Sequence, residues 1–328
     1  MSFKVAIIQT YPIPACPSRN FATASQLIRI SAASGAHLAV LPEYHLTSWI
    51  PQHPRFVEIC RSSAQKYLPM YQQLAQLLQI CIVPGTIVEV AKNEHGHEVL
   101  YNTAYFIDSA GEIIGYYRKK NLWVTERAHL TANPHPEPHQ AFTAKINGCD
   151  IRIGVLICWD LAFASAFSPL ISQDAQLVII PTFWLKSDPS ENFDNMPGLK
   201  RNPEKEGLYV NAMCLSRAFE FSCAVVMCNA GGPSKIETSE DGSFSDRASL
   251  SDGDPEPGHR DFFRPSDYLG LSQLCMPFVG RVVAADDVGQ CITYGDVNLT
   301  ILEEAEANYQ TRRDVKDASA LRGLNPRD

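Results

Sequence analysis

Ile151-Arg-Ile-Gly-Val-Leu-Ile157, followed at once by Cys158-Trp159-Asp160, is the stretch on which the fold turns. The run reads as a buried strand, and the residues after Asp160 return to helical spacing. A thiol therefore stands where strand gives way to helix, a place where a side chain can face a pocket while its backbone stays held. Two earlier stretches end in the same way: Leu38-Ala-Val-Leu-Pro42 runs into Glu43, and Ile113-Ile-Gly-Tyr-Tyr-Arg118 runs into Lys119. An acid, an amine and a thiol, each at a strand end, form a candidate catalytic set.

Outward from this stretch, strand-like and helix-like segments alternate. Lys4–Gln9 reads as a strand, Phe21–Ala33 as a helix, Leu38–Leu41 as a strand, Ser63–Leu78 as a helix and Cys81–Val90 as a strand. Leu100–Ile107, a turn at Asp108-Ser-Ala-Gly111 and Glu112–Arg118 read as a hairpin or meander. After Ile157 come a helix near Ala162–Ser172, a strand at Leu177–Pro181, a helix at Glu204–Phe221 and a strand at Cys223–Cys228. Alternation mixed with antiparallel pairs predicts α/β layers over mixed β-sheets. No linker divides the chain, so one domain over residues 1–328 is expected. Ser234–Ser272, rich in Ser, Gly, Pro and Asp, is expected to be a mobile surface insertion. A charged, helix-capable tail at 303–328 is expected to pack on a neighbouring subunit.

Composition removes several classes of function. At 328 residues, 45% hydrophobic and 20% charged, the chain reads as an ordinary globular protein able to bury a sizeable core. A net charge of −8 without a Lys/Arg stripe argues against nucleic acid as a partner. No apolar stretch reaches the roughly 18–20 residues that span a bilayer, so no membrane partner is expected. The N-terminus enters a strand almost at once, which leaves no room for a signal peptide. The ten cysteines show no disulfide framework, so reduced thiols and a cytoplasmic location are expected. Asn298-Leu-Thr300 matches a glycosylation sequon by chance on this reading. His129, His135 and His139 lack metal-ligand spacing and read as an exposed loop; no metal and no cofactor are expected.

A thiol is a weak nucleophile until a base or cation acts on it. Histidine is the usual partner, yet among nine histidines only His45 lies close in sequence to a proposed site residue. A carboxylate can serve instead. Glu43, shielded by Leu41 and Trp49, would have its charged form disfavoured and its pKa raised toward working pH. Lys119 would add a fixed positive charge for the oxyanion, and the Trp159 N–H a second donor.

These segments resemble the nitrilase superfamily of carbon–nitrogen hydrolases. Leu-Pro-Glu43, Tyr117-Arg118-Lys119 and Gly154-Val-Leu-Ile-Cys158-Trp159-Asp160 resemble its three motifs in order, and Pro181-Thr-Phe-Trp184 follows on the next strand. The resemblance implies a four-layer α-β-β-α sandwich with a Glu43–Lys119–Cys158 triad. It selects Lys119 over Lys120, and Thr125-Glu126-Arg127 supplies Glu126 as a second acid orienting the lysine or the substrate. It also implies a thioester route and homo-oligomers, with the helix after Cys158 and the tail as contact elements. The chain departs from the family's Asp-x-Arg-Phe-Pro-Glu continuation, having Asp160-Leu-Ala162-Phe-Ala-Ser165 instead, and from the Cys-Trp-Glu of true nitrilases. A small amide is therefore the expected substrate, with a nitrile as the alternative and an inactive binding or scaffold protein as the alternative of another class. Trp49, Trp159, Phe183 and Trp184 are expected to line an apolar pocket or to be core.

Overall fold

The structure, a computed structural model, describes residues 1–133, 139–186, 202–233 and 263–323. Its first part runs β1 (Ser2–Gln9), α1 (Pro17–Ala33), β2 (Leu38–Val40), α2 (Phe56–Leu78), β3 (Cys81–Val83), β4 (Thr86–Lys92), β5 (Glu98–Ile107) and β6 (Ile113–Arg118). Then follow β7 (Phe142–Ile146), β8 (Cys149–Val155), α3 (Ala164–Ser172), β9 (Leu177–Thr182), α4 (Lys205–Glu220) and β10 (Ala224–Asn229). The chain closes with β11 (Gln273–Met276), β12 (Gly280–Ala284), β13 (Cys291–Asn298), α5 (Leu299–Tyr309) and α6 (Thr311–Gly323).

Two sheets result. The first has the order β13-β1-β2-β3-β5-β4 with β6 paired on β5; the second has the order β12-β11-β10-β9-β8-β7. Each has a parallel centre, β1-β2-β3 in one and β8-β9-β10 in the other, flanked by antiparallel strands. Side chains alternate across a strand, and β1 shows how that builds layers. Phe3, Val5 and Ile7 join Ile151, Ile153 and Val155 of β8 in one core. Ala6 and Ile8 join Ile28 of α1 and Tyr71 and Leu74 of α2 in another. Both faces of β1 are apolar and both are covered, each fully buried aliphatic side chain contributing about 1.5–3 kcal/mol. Phe167 and Leu170 of α3 and Val210 and Cys214 of α4 cover the second sheet from outside. The arrangement is the expected four-layer α-β-β-α sandwich.

Several boundaries differ from the sequence reading. Helix α2 begins at Phe56 rather than Ser63, because Phe56, Ile59 and Cys60 extend the buried stripe of Ser63, Tyr67 and Tyr71 at helical spacing. Cys81–Val90 is two strands, broken at Pro84-Gly85, where proline removes a ladder donor and Gly85 takes φ +58°. β7 pairs with β8 across Asn147-Gly148, both at positive φ, a hairpin signal that the apolar run alone does not reveal. Asn298 of the sequon caps α5, its Oδ1 accepting the Thr300 N–H at 3.0 Å.

Most of the expected insertion, residues 234–262, lies outside the described residues. Its last part is not a loose surface segment: Tyr268 and Leu269 are buried, and Ser272 donates to Gln9 Oε1 at 2.8 Å. The tail meets its own chain. Arg312 Nη2 donates to Ser222 O at 3.1 Å, and Lys316 pairs with Asp174 at 2.7 Å, which lays α6 along α3. No helix among the described residues is long and apolar enough to cross a membrane.

Gly85 sits where the β3–β4 turn crosses the segment leading to Glu43. A Cβ there would stand 1.8 Å from Pro42 O, on a backbone that L-residues avoid. Gly85→Ala should therefore lower the unfolding free energy by about 2 kcal/mol or more. Urea titration checks this, and a loss below about 0.5 kcal/mol would show that the turn can yield.

Candidate active site

The carboxyl ends of the parallel strands β2 and β8 lead into Glu43 and Cys158, as in ligand sites of α/β sheets, while Lys119 follows the antiparallel strand β6. Just beyond β2 the chain turns at Pro42-Glu43-Tyr44, with Tyr44 at φ +54°. Lys119 follows β6, and its N–H donates to Asn102 O of β5 at 2.9 Å. Cys158 opens a short 3-10 turn, Cys158–Ala162, after β8 and holds φ +46°. Glu43 and Lys119 therefore come from the first sheet and Cys158 from the second.

Lys119 is the organising charge. Its Nζ donates to Glu43 Oε1 at 2.8 Å and to Glu126 Oε1 at 2.7 Å, with all three side chains buried. Further donors hold the same two carboxylates. Asn102 Nδ2 donates to Glu43 Oε1 at 2.8 Å, and the Phe183 N–H donates to Glu43 Oε2 at 2.9 Å. The Trp123 N–H donates to Glu126 Oε2 at 2.7 Å; the Tyr44 hydroxyl donates to Glu126 Oε1 and accepts from Asn102 Nδ2 at 2.9 Å. The Cys158 thiol lies near Glu43 and the Phe183 N–H, close enough that both influence its protonation.

Burial sets the protonation pattern. It raises Glu43 to about 7 despite the opposing pull of Lys119. For Lys119 burial alone would lower the pKa, but Glu126 and Glu43 outweigh it and hold the ammonium charged. Burial and the neighbouring Glu43 push the Cys158 thiol well up. Cys158 thus rests as a thiol beside an acid poised to accept its proton.

The structure brings Glu43, Lys119, Glu126 and Cys158 together. Glu126 is buried in the cluster rather than exposed on its loop. Lys120 is only partly buried, while Lys119 Nζ points into the site. Leu41 does not shield Glu43: the chain turns directly after β2, and Leu41 packs beneath α2 with Ala39 and Ile82. His45 is no base for Cys158. Its Nε2 lies 2.7 Å from the Tyr71 hydroxyl of α2, and burial lowers its pKa to about 3. His129 is exposed, His135 lies outside the described residues, and His139 departs from the loop reading. It is buried, with Nδ1 at 2.7 Å from Ala166 O and Nε2 at 3.4 Å from the Tyr117 hydroxyl.

The expected pocket residues fall into two aromatic clusters. Trp49 stacks on Tyr44 at 4.9 Å, and Phe183 meets Tyr44, Tyr268 and Phe263 edge-on at 6.1, 6.0 and 5.2 Å. Trp159 packs between Trp123 at 4.4 Å and Trp184 at 5.5 Å. Trp184 is mostly core, its Nε1 donating to Glu206 Oε2 at 2.8 Å. Asn102 and Tyr44 were not read as site residues. The signal was an asparagine between Tyr101 and Thr103 inside an otherwise apolar strand, since a buried polar side chain is the informative exception.

The sequence profile of the carbon–nitrogen hydrolase family matches residues 4–256, and the chain belongs to that family. It is 30% identical over 182 residues to an N-carbamoylputrescine amidase of Oryza sativa subsp. japonica, covering 53% of this chain and 56% of that protein. It is 28% identical over 179 residues to a nitrilase of Pyrococcus abyssi, covering 54% and 64%. To a deaminated glutathione amidase of Homo sapiens it is 25% identical over 182 residues, covering 54% and 55%. The matches thus span little more than half the length of these relatives. In fold it is similar to Nit3 of Saccharomyces cerevisiae, a nitrilase-superfamily member, with TM-score 0.67 at 20% identity over 94% of each chain. The amidase from Nesterenkonia sp. AN1, in a form carrying acrylamide on its active-site cysteine, superposes with TM-score 0.64 at 17% identity over 94% of this chain and 98% of that one.

Glu43 provides a check on the buried cluster. Its pKa stands at about 7, above the ordinary 4.5. For an acid raised on folding, ionisation costs stability, so this part of the stability is full below the unfolded value and is lost as pH rises toward about 7. Between about pH 5 and pH 8, Glu43→Gln should therefore gain on the wild type, by on the order of 3 kcal/mol at full ionisation. Urea unfolding at the two pH values measures it; parallel pH dependence in the two proteins would contradict the raised acid.

Proposed function

We propose that this protein hydrolyses the nonpeptide C–N bond of a small amide through a Cys158 thioester. The observation that carries the reading is the buried Lys119 ammonium held between Glu43 and Glu126, with the Cys158 thiol near enough to Glu43 for the two to influence each other. Glu43 takes the Cys158 proton as Sγ attacks the carbonyl carbon, and the C=O electron pair moves onto oxygen. An ammonium has three donors, and Glu43 and Glu126 engage two of those on Lys119, so the third can face the oxyanion. The Trp159 N–H, at the start of the 3-10 turn, is the second donor in this reading; each such donor contributes about 3–4 kcal/mol. Glu43 then passes its proton to the leaving nitrogen, the C–N bond breaks, and ammonia or an amine departs. A water gives its proton to Glu43 and attacks the thioester, releasing the carboxylic acid and restoring the Cys158 thiol.

A base whose pKa lies near neutrality suits this cycle, because Glu43 must both accept and return a proton. Glu126 acts through Lys119, holding it charged and oriented. Trp49 and Phe183 on one side and Trp159 on the other would surround an acyl group with apolar bulk. Support for an amide comes from the amidases among the relatives and from Asp160 in place of a nitrilase-type glutamate. A nitrile would meet the same first attack, and the Pyrococcus abyssi relative keeps that reading in view. All ten cysteines are free, which supports a reducing, cytoplasmic setting. Exposed Phe163 before α3 and Leu208, Tyr209 and Phe219 on α4 support self-association through the helices that follow Cys158.

Intact-protein mass spectrometry of the wild type, quenched in acid during turnover of a small amide, should show one acyl adduct, mapped to Cys158 by peptide digestion. Cys158→Ala should lose activity by about a thousandfold or more; an adduct on another cysteine, or retained turnover, would sink the assignment. Ammonia release from paired amides and nitriles decides the bond, with amides expected to be turned over faster. If neither is hydrolysed and Cys158 reacts with iodoacetamide no faster than the other thiols, a binding or scaffold role replaces the enzyme.

A further inference from the structure

Asp160 is fully buried, and no step of the proposed chemistry uses its carboxylate. Four donors point at it. Oδ2 accepts the Ile157 N–H at 3.0 Å and the Tyr117 hydroxyl at 3.0 Å. Oδ1 accepts the Asn121 N–H at 3.1 Å and Asn121 Nδ2 at 2.7 Å. This is the full acceptor capacity of an ionised carboxylate. The charged and titratable neighbours are Lys119 and His139, and Tyr117 in turn accepts the Lys120 N–H at 3.1 Å.

The placement of the donors is the informative part. Ile157 immediately precedes Cys158, whereas Tyr117 and Asn121 stand two residues to either side of Lys119. Tyr117 belongs to β6 of the first sheet, and Asp160 to the turn that follows β8 of the second. One carboxylate thus ties the segment carrying the thiol to both flanks of the residue carrying the ammonium. The same group closes the turn in which Cys158 holds φ +46°, a strained conformation for a residue with a Cβ.

We propose that Asp160 is a positioning residue that sets the distance between the Cys158 thiol and the Lys119 ammonium. The proposal rests on the thiol chemistry above, but its test does not need a substrate. An amide at this position offers one acceptor oxygen and turns an NH2 group toward groups that are themselves donors. The Lys119 segment and the Cys158 turn then lose their common anchor.

The test compares Asp160→Asn, Tyr117→Phe and Asn121→Ala with the wild type. Alkylation of Cys158 by iodoacetamide is followed by peptide mapping from roughly pH 5 to pH 10, with thermal melts and, for amide turnover, kcat and KM. Asp160→Asn should slow alkylation about tenfold at neutral pH and move the midpoint of its pH profile upward, because the thiolate loses its held cation. Amide turnover should fall in kcat by about a hundredfold with KM within about threefold. Tyr117→Phe and Asn121→Ala should shift the profile in the same direction by less. A folded Asp160→Asn protein whose alkylation profile matches the wild type overturns the proposal, as does a kcat loss seen only where the protein melts. If Asp160→Asn does not fold, unchanged profiles in both single-donor variants overturn it, and shifted ones support it. A wild type that hydrolyses no amide or nitrile defeats the functional reading, while the alkylation profiles still decide the role of Asp160.

Discussion

A lysine ammonium taken out of water is the constraint around which this molecule is arranged. An isolated buried cation is costly enough that it would shed its proton. Lys119 keeps its charge because Glu43 and Glu126 each reach it within hydrogen-bond distance. The two carboxylates then impose a demand of their own, for a buried anion must be paired and hydrogen-bonded. Asn102, Tyr44, the Trp123 N–H and the Phe183 N–H meet it. Those groups come from different strands and loops, so the ion cluster draws the ends of both sheets to one point.

The same constraint favours a carboxylate over an imidazole as the proposed base. A protonated histidine beside Lys119 would add a second positive charge to a dry site. Glu43, shared between the ammonium and the thiol, instead keeps the local charge near balance whichever group holds the proton. The one histidine next to it in sequence is turned to the far side of β2, against Tyr71, and kept neutral.

How much could be read beforehand follows from the physics of each element. The parallel strands were legible because burial on both faces makes Lys4–Gln9 and Leu177–Pro181 nearly continuous apolar runs, and Glu43 and Cys158 were legible because each ends such a run, whereas Lys119 follows β6, an antiparallel and largely exposed strand. β11, β12 and β13 were not: they are short or partly exposed, and their register comes from β1 and β10, distant in sequence. The break at Pro84-Gly85 has a local turn signal that the surrounding apolar run masked, whereas the close approach of Gly85 to Pro42 is not encoded locally. His139 looked like part of a polar loop because the Ala166 carbonyl that holds it lies 27 positions away. In the site, side chains at strand ends were found, whereas Asn102 and Tyr44 were not, because their contacts with Glu43 and Glu126 join segments far apart in sequence. Asp160 was noticed as a departure from a motif, and its four donors became visible only in three dimensions.

The division of the cluster between two sheets has a further consequence. Stacked sheets stand about 10 Å apart, at a spacing set by the side chains packed between them. Val40 and Val155, buried in that gap, therefore act as shims for a thiol and an ammonium on opposite plates. A methylene added or removed there costs on the order of 1 kcal/mol, and it also moves one plate relative to the other, a displacement to which reaction rates respond separately. In this architecture the interior is the gauge block of the active site, and tolerance in the core is limited by geometry before it is limited by cohesion.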